Sequence, residues 1–107
     1  MERRKHPRYR FLCEIWFPGK EKSVAGTVTD LSMGGCKVGS LTPVDTGTYL
    51  EMRIYIMDAP EFPLKVDQAV VRWAKEQEFG VQFITMWPEE EERLRRFVST
   101  LEAWQSH

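Results

Sequence analysis

The chain has 107 residues, of which 42% are hydrophobic and 29% charged, which fits one globular domain and excludes a disordered chain. It contains no run of about 18 apolar residues, so we expect no membrane span, and its start is charged and lacks an apolar segment, so we expect no secretory signal peptide. We therefore expect a cytoplasmic protein in which Cys13 and Cys36 are free thiols.

Positive charge is concentrated at the N-terminus. Residues 1–10 contain five Lys or Arg and one Glu, a balance of +4, so the rest of the chain carries −5 of the formal net charge of −1. A uniformly basic nucleic-acid binder would not have this distribution. A basic segment attached to an acidic domain suits a small anionic ligand. The alternative is a solvated terminus that has no partner.

In chain order, a flexible basic arm (residues 1–9) is followed by six strand patterns. The predicted strands cover residues 10–17, 23–30, 36–38, 50–56, 64–73 and 79–84. Apolar and polar residues alternate along the first and fourth of them, and Pro, Gly and polar residues separate the strands. Several short strands with turn signals between them predict a β-barrel or sandwich over residues 10–85.

The end of the chain has a helical pattern over residues 88–105. Pro88 suits the first turn of a helix, and the glutamates of residues 89–92 suit the positive end of the helix dipole. The apolar residues with helical spacing are Leu94, Phe97, Val98 and Leu101. We expect this amphipathic helix to close one mouth or flank of the barrel; the alternative is a docking face for a partner or a second subunit, which would make the protein a homodimer.

Two short motifs carry the chemistry. The arm contains R-x-x-x-R, formed by Arg4 and Arg8, and the second strand ends in D-x-S-x-x-G, formed by Asp30, Ser32 and Gly35. Arginine suits phosphates and the acceptor edge of guanine. A carboxylate and a hydroxyl can meet the donor edge of a base, and glycine lets the backbone approach closely. These groups together fit a dianionic nucleotide that carries guanine.

In this order and on a chain of this size, the two motifs resemble those of a PilZ domain. Val70–Trp73 and Phe79–Phe83 are similar to the closing strands of that family, so the resemblance covers nearly the whole chain. It implies a single, mainly all-β domain over residues 1–107, a six-stranded antiparallel β-barrel with a C-terminal amphipathic helix. It also implies a receptor for the bacterial second messenger cyclic di-GMP.

The resemblance also implies roles for individual residues. Arg4 and Arg8 match the two arginines that bind the phosphates and guanines. Arg3 adds a further contact at the position that influences whether one ligand or a stacked pair is bound, and an arginine there favours the pair. Asp30 and Ser32 match the residues that hydrogen bond to a guanine edge. The alternative is an Asx-type turn in which Asp30 bonds only to local backbone.

Two glycines and a tryptophan complete the predicted site. Gly35 is the glycine of the motif and Gly34 is an additional one, and we expect them to permit a positive φ or a close approach of the ligand. Trp73 lies where the family can place an aromatic ring beside a guanine, and a position in the core is the alternative.

The predicted function is a cyclic di-GMP receptor whose arm becomes ordered on ligand binding and signals to an unidentified downstream protein. The alternatives are a PilZ-like adaptor that binds no nucleotide and a small-barrel protein that binds single-stranded nucleic acid. We expect no enzymatic activity, because the sequence has no P-loop and no nucleophile with an adjacent base. We also expect no metal and no cofactor besides the ligand.

Overall fold

The computed structural model describes residues 9–56 and 61–105, which form a closed six-stranded β-barrel and one helix. The elements are β1 (Phe11–Trp16), β2 (Val24–Thr29), β3 (Gly35–Gly39), β4 (Tyr49–Ile54), β5 (Leu64–Ala74), β6 (Glu78–Thr85) and α1 (Pro88–Gln105). All neighbouring strands are antiparallel, in the order β1-β2-β3-β6-β5-β4 around the barrel. This confirms the predicted barrel with its C-terminal helix.

The inward side chains of the six strands form one apolar core. Alternation places Phe11, Cys13 and Ile15 of β1 inside, whereas Leu12 lies on the outer face. Within the described part of the chain, no polar or charged side chain belongs to this buried core.

Both cysteines are free, as the sequence predicted, and both are buried. Burial raises the pKa of the Cys13 thiol to about 12, and burial also raises the pKa of Cys36 well above its ordinary value. Both side chains are therefore neutral thiols at physiological pH, and they act as small apolar residues of the core.

Helix α1 packs on the end of the barrel at which β1 begins. Its apolar residues Leu94, Phe97 and Leu101 are buried, and the ring of Phe97 meets the ring of Phe11 edge-on at a centroid distance of 5.3 Å. The helix therefore packs on the barrel, as its apolar stripe predicted. In the part of the chain that is described, no helix has the length and apolar character that a membrane crossing requires.

The pairing of the strands determines where the N-terminal segment meets the barrel. Phe11 pairs with Val28 and Thr29 pairs with Lys37, so β1 starts at the end of the barrel where β2 finishes and β3 begins. Tyr9, which the prediction included in the arm, lies against Trp104 of α1 with 5.6 Å between the ring centroids. The chain thus enters the barrel beside the β2–β3 connection.

Candidate functional site

Residues 30–34, which connect β2 to β3, and Gly35, the first residue of β3, form a tight turn that we call the glycine turn. It begins at Asp30, whose φ of 53° lies in the left-handed region that Asp tolerates better than most residues. Ser32 closes the turn, because its backbone N–H donates to the Gly35 carbonyl at 2.9 Å and its hydroxyl oxygen is 3.1 Å from the same carbonyl. The N–H of Gly34 donates to the Ser32 hydroxyl at 3.3 Å. Ser32 thereby fixes the shape of the turn.

The two glycines of the turn differ in their surroundings. The expectation of a positive φ at Gly34 or Gly35 is wrong, since Asp30 is the residue of this turn with a left-handed φ. A Cβ atom on Gly35 would collide with the carbonyl oxygen of Val81 and lie 3.2 Å from the Cα of Gln82. Gly35 is therefore needed for the close approach of β6. A Cβ atom on Gly34 would meet nothing within 4 Å.

Trp73 lies on the outer face of the barrel because of an irregularity in β5. Val71 pairs with Val81 and Trp73 pairs with Gly80, so Arg72 is an extra residue in β5 at this point. Regular alternation from the buried Val71 would send Trp73 into the core, whereas the bulge brings it out. Its indole ring covers Gly80, where an added Cβ would lie 2.8 Å from the Cδ1 atom of the ring. Trp73 is 37% exposed, so it does not lie in the core, which was the alternative prediction.

A shallow pocket of about 350 Å³ lies between the glycine turn and Trp73, and we call it the glycine-turn pocket. Its lining includes five predicted site residues, namely Asp30, Ser32, Gly34, Gly35 and Trp73. The structure thus brings together all of the predicted site residues that it describes. The other three, Arg3, Arg4 and Arg8, lie outside the described residues.

Sequence reasoning missed two polar side chains of this pocket, Lys37 and Gln82. Lys37 is the second residue after Gly35, and alternation along β3 alone would have placed it outside the barrel next to the turn. Gln82 gave no such signal, because its position depends on the pairing of β6 with β3, which are distant in sequence.

The charged side chains that line the pocket are Asp30 and Lys37, and Lys75 lies close to Trp73. The ammonium of Lys37 lies 3.8 Å from a carboxylate oxygen of Asp30, and the ammonium of Lys75 lies 5.6 Å from the ring centroid of Trp73. Lys37 also lines an adjacent pocket of about 180 Å³ to which Arg10 and Glu78 contribute. Arg10 therefore lies in a pocket that shares Lys37 with the glycine-turn pocket, and the lysine and the indole ring there suit an anion that carries an aromatic base.

Comparison with known proteins identifies the family to which this barrel belongs. The sequence matches the family model of the PilZ domain over residues 2–100, and the chain therefore belongs to the PilZ family. PilZ domains are known as cyclic di-GMP receptor domains, and they are binding or adaptor domains rather than enzymes.

A solved structure shares this fold. It is the PilZ domain of CeSA from a cellulose-synthesizing bacterium, with 22% sequence identity and a TM-score of 0.68 over 88% of this chain and 94% of that chain. No curated protein matches the sequence.

Proposed function

We propose that this PilZ domain is a receptor for cyclic di-GMP, which binds in the glycine-turn pocket and is covered by the N-terminal arm. One observation carries the proposal: residues of the D-x-S-x-x-G motif and Trp73, which are far apart in the sequence, line one pocket on the outer face of the barrel. Asp, Ser and Gly are common in ordinary turns, but here the turn that they form shares a pocket with the indole ring of Trp73 and with Lys37.

The pocket offers groups that match each part of this ligand. The carboxylate of Asp30 is half exposed and accepts hydrogen bonds from the N1–H and N2 amino groups of guanine. The indole of Trp73 offers a stacking surface for a base, and such contacts are worth about 1–3 kcal/mol. The Lys37 ammonium provides a positive charge for a phosphate.

The arm completes the site in this proposal. Arg8 and Arg4 precede Arg10, which lines the adjacent pocket, by two and six residues. Extended chain spans at most about 3.3–3.6 Å per residue, so segments of these lengths reach about 7 Å and about 20 Å. Because Lys37 lines both pockets, we infer that both arginines reach the glycine-turn pocket, where they bind phosphates and guanine edges, and that Arg3 adds a contact that favours a stacked pair of ligands.

Signalling follows from the ordering of the arm. Like charges in residues 1–10 repel one another until two phosphates neutralise them, and the bound ligand then holds the arm across β3 and β6. This changes the surface that a downstream protein recognises. PilZ domains are typically cytoplasmic, and we infer the same location for this bacterial receptor.

Isothermal titration of the protein with cyclic di-GMP tests the proposal. We expect saturable binding, with a stoichiometry that distinguishes one ligand from a stacked pair, and much weaker binding of GTP and cyclic di-AMP. An absence of cyclic di-GMP binding would overturn the proposal and favour an adaptor that works without a nucleotide. Binding that ignores guanine and falls steeply with added salt would instead indicate a single-stranded nucleic acid.

The role of Trp73 as a stacking surface gives a separate prediction. We expect Trp73→Ala to weaken cyclic di-GMP binding by about 10- to 100-fold, which corresponds to a loss of about 1–3 kcal/mol of base stacking. Trp87→Ala is the matched control, because Trp87 is 64% exposed and does not line the pocket. Calorimetry measures both affinities, and equal affinities for the two variants would show that Trp73 does not contact the base.

A further inference from the structure

The side chain of Gln82 has a defined orientation at the edge of the glycine-turn pocket. Gln82 lies on the outer face of β6, and its partner on β3 is Gly35, which has no side chain to compete for the same space. On the other side, the Nε of Arg72 donates a hydrogen bond to the Oε1 of Gln82 at 2.7 Å. The amide is thus held from the side of β5 and lines the pocket toward β3.

The chemistry of arginine decides which end of the amide faces Arg72. A guanidinium has five N–H donors and no acceptor, so it can face the carbonyl oxygen of a glutamine but not its NH2 group. The hydrogen bond from Arg72 therefore determines which atom of the Gln82 amide is the oxygen and which is the nitrogen. With the oxygen bonded to Arg72, the NH2 group of Gln82 is the donor that remains for a ligand.

A donor held in place distinguishes guanine from adenine. Guanine presents two acceptors, O6 and N7, on its Hoogsteen edge, whereas adenine has an amino donor in the place of O6. Opposite O6, the NH2 group of Gln82 meets an acceptor in guanine and would face the N6 amino donor in adenine, whereas N7 is an acceptor in both bases and gives no discrimination. We propose that Gln82 is a guanine-selecting residue of the glycine-turn pocket, and that Arg72 is the positioning residue that orients it. This inference rests on the proposed function.

The bulge in β5 links this selectivity to base stacking. Because of the register shift between Val71 and Trp73, both Arg72 and Trp73 project from the outer face of the barrel. The bulge in β5 therefore places both Trp73, which offers the stacking surface, and Arg72, which orients the amide of Gln82. A base that lies on Trp73 then has the Gln82 amide beside it on the neighbouring strand.

The variant Gln82→Glu tests the inference, because it keeps the size and the acceptor for Arg72 but replaces the NH2 donor with a carboxylate oxygen. We expect the preference for cyclic di-GMP over cyclic di-AMP, measured as the ratio of the two dissociation constants, to fall by about 10-fold or more. Gln68→Glu adds the same charge on β5 outside the pocket and controls for electrostatic repulsion of the phosphates. The neutral variant Gln82→Met is expected to lower the preference in the same direction.

Arg72→Ala tests the positioning role through the same ratio. We expect it to reduce the guanine preference less than Gln82→Glu does, with thermal stability close to that of the wild type, because both side chains are exposed. If Gln82→Glu keeps the wild-type preference, or weakens both nucleotides equally, the inference is wrong although the receptor function stands. If the wild-type protein binds no cyclic dinucleotide, the proposed function fails and this inference fails with it.

Discussion

Gly35→Ala is expected to destabilise the barrel by about 1–3 kcal/mol, the usual cost of forcing an extra methyl group into a packed site. The added Cβ would collide with the carbonyl oxygen of Val81 and lie 3.1 Å from its carbonyl carbon. These are backbone atoms of β6, so no side-chain rotation can relieve the contact. The pairing of β3 with β6 must shift instead, and this pairing helps to close the barrel.

Gly34→Ala provides the control for this prediction, since it makes the same change one residue earlier in the same turn. Its added Cβ would meet nothing within 4 Å, and we expect a change within about 0.5 kcal/mol. Urea denaturation of both variants and the wild type measures the difference. Equal free energies of unfolding for the two variants would show that β6 does not approach Gly35 as closely as the structure places it.

Alternation of side chains predicted the barrel because the core is apolar and continuous. Along the first predicted strand, the alternation indicates one inward face with Phe11, Cys13, Ile15 and Phe17; the first three are buried and Phe17 is partly buried. The stripe on α1 likewise predicted its buried residues, since a period of 3.6 identifies one face of a helix. Such patterns depend on local sequence and on burial alone, so one sequence is enough to read them.

Trp73 shows where this reasoning ends. The sequence left its position undecided between the core and the ligand, and regular alternation from Val71 would have favoured the core. The bulge at Arg72 reverses the side on which Trp73 lies. A bulge depends on how β5 pairs with β6, and the paired residue, Gly80, has no side chain in the space that the indole ring occupies.

Gly35 illustrates the same limit for the motif itself. Its sequence position identified it as a site residue, but the reason for a glycine there was predicted as a positive φ or a close ligand approach. The structure shows that the neighbouring strand β6 occupies the space. The order β3-β6 around the barrel joins strands that are distant in the chain, and no local signal reports that contact. Lys37 could be placed from alternation, whereas Gln82 could not.

The pocket on the barrel surface is shallow, so we expect the arm to contribute strongly to the affinity of the proposed receptor. The groups described there offer one carboxylate, one stacking ring and few cations for a ligand with two phosphates. Residues 1–10, which come directly before β1, contain five further Lys or Arg residues. If the pocket is a cyclic di-GMP site, affinity must depend strongly on the arm.

Arg8→Ala is therefore expected to weaken cyclic di-GMP binding by roughly 100-fold, because a hydrogen bond to a charged group contributes about 1.5–3 kcal/mol. The double variant with Arg4→Ala is expected to bind too weakly for calorimetry to detect. Both variants should unfold at the wild-type temperature, since the arm precedes the packed core. Binding by Arg8→Ala should also depend less on salt concentration, because one phosphate contact is lost.

Arg95→Ala is the charge-matched control for Arg8→Ala. Arg95 lies on the exposed side of α1, where it pairs with Glu92 at 3.4 Å, and it does not line the glycine-turn pocket. Such an exposed pair contributes little to stability. Removal of one positive charge from the molecule as a whole should therefore leave the affinity close to that of the wild type. Equal weakening by both substitutions would mean that net charge governs binding, and unchanged affinity in Arg8→Ala would mean that the arm makes no contact with the ligand.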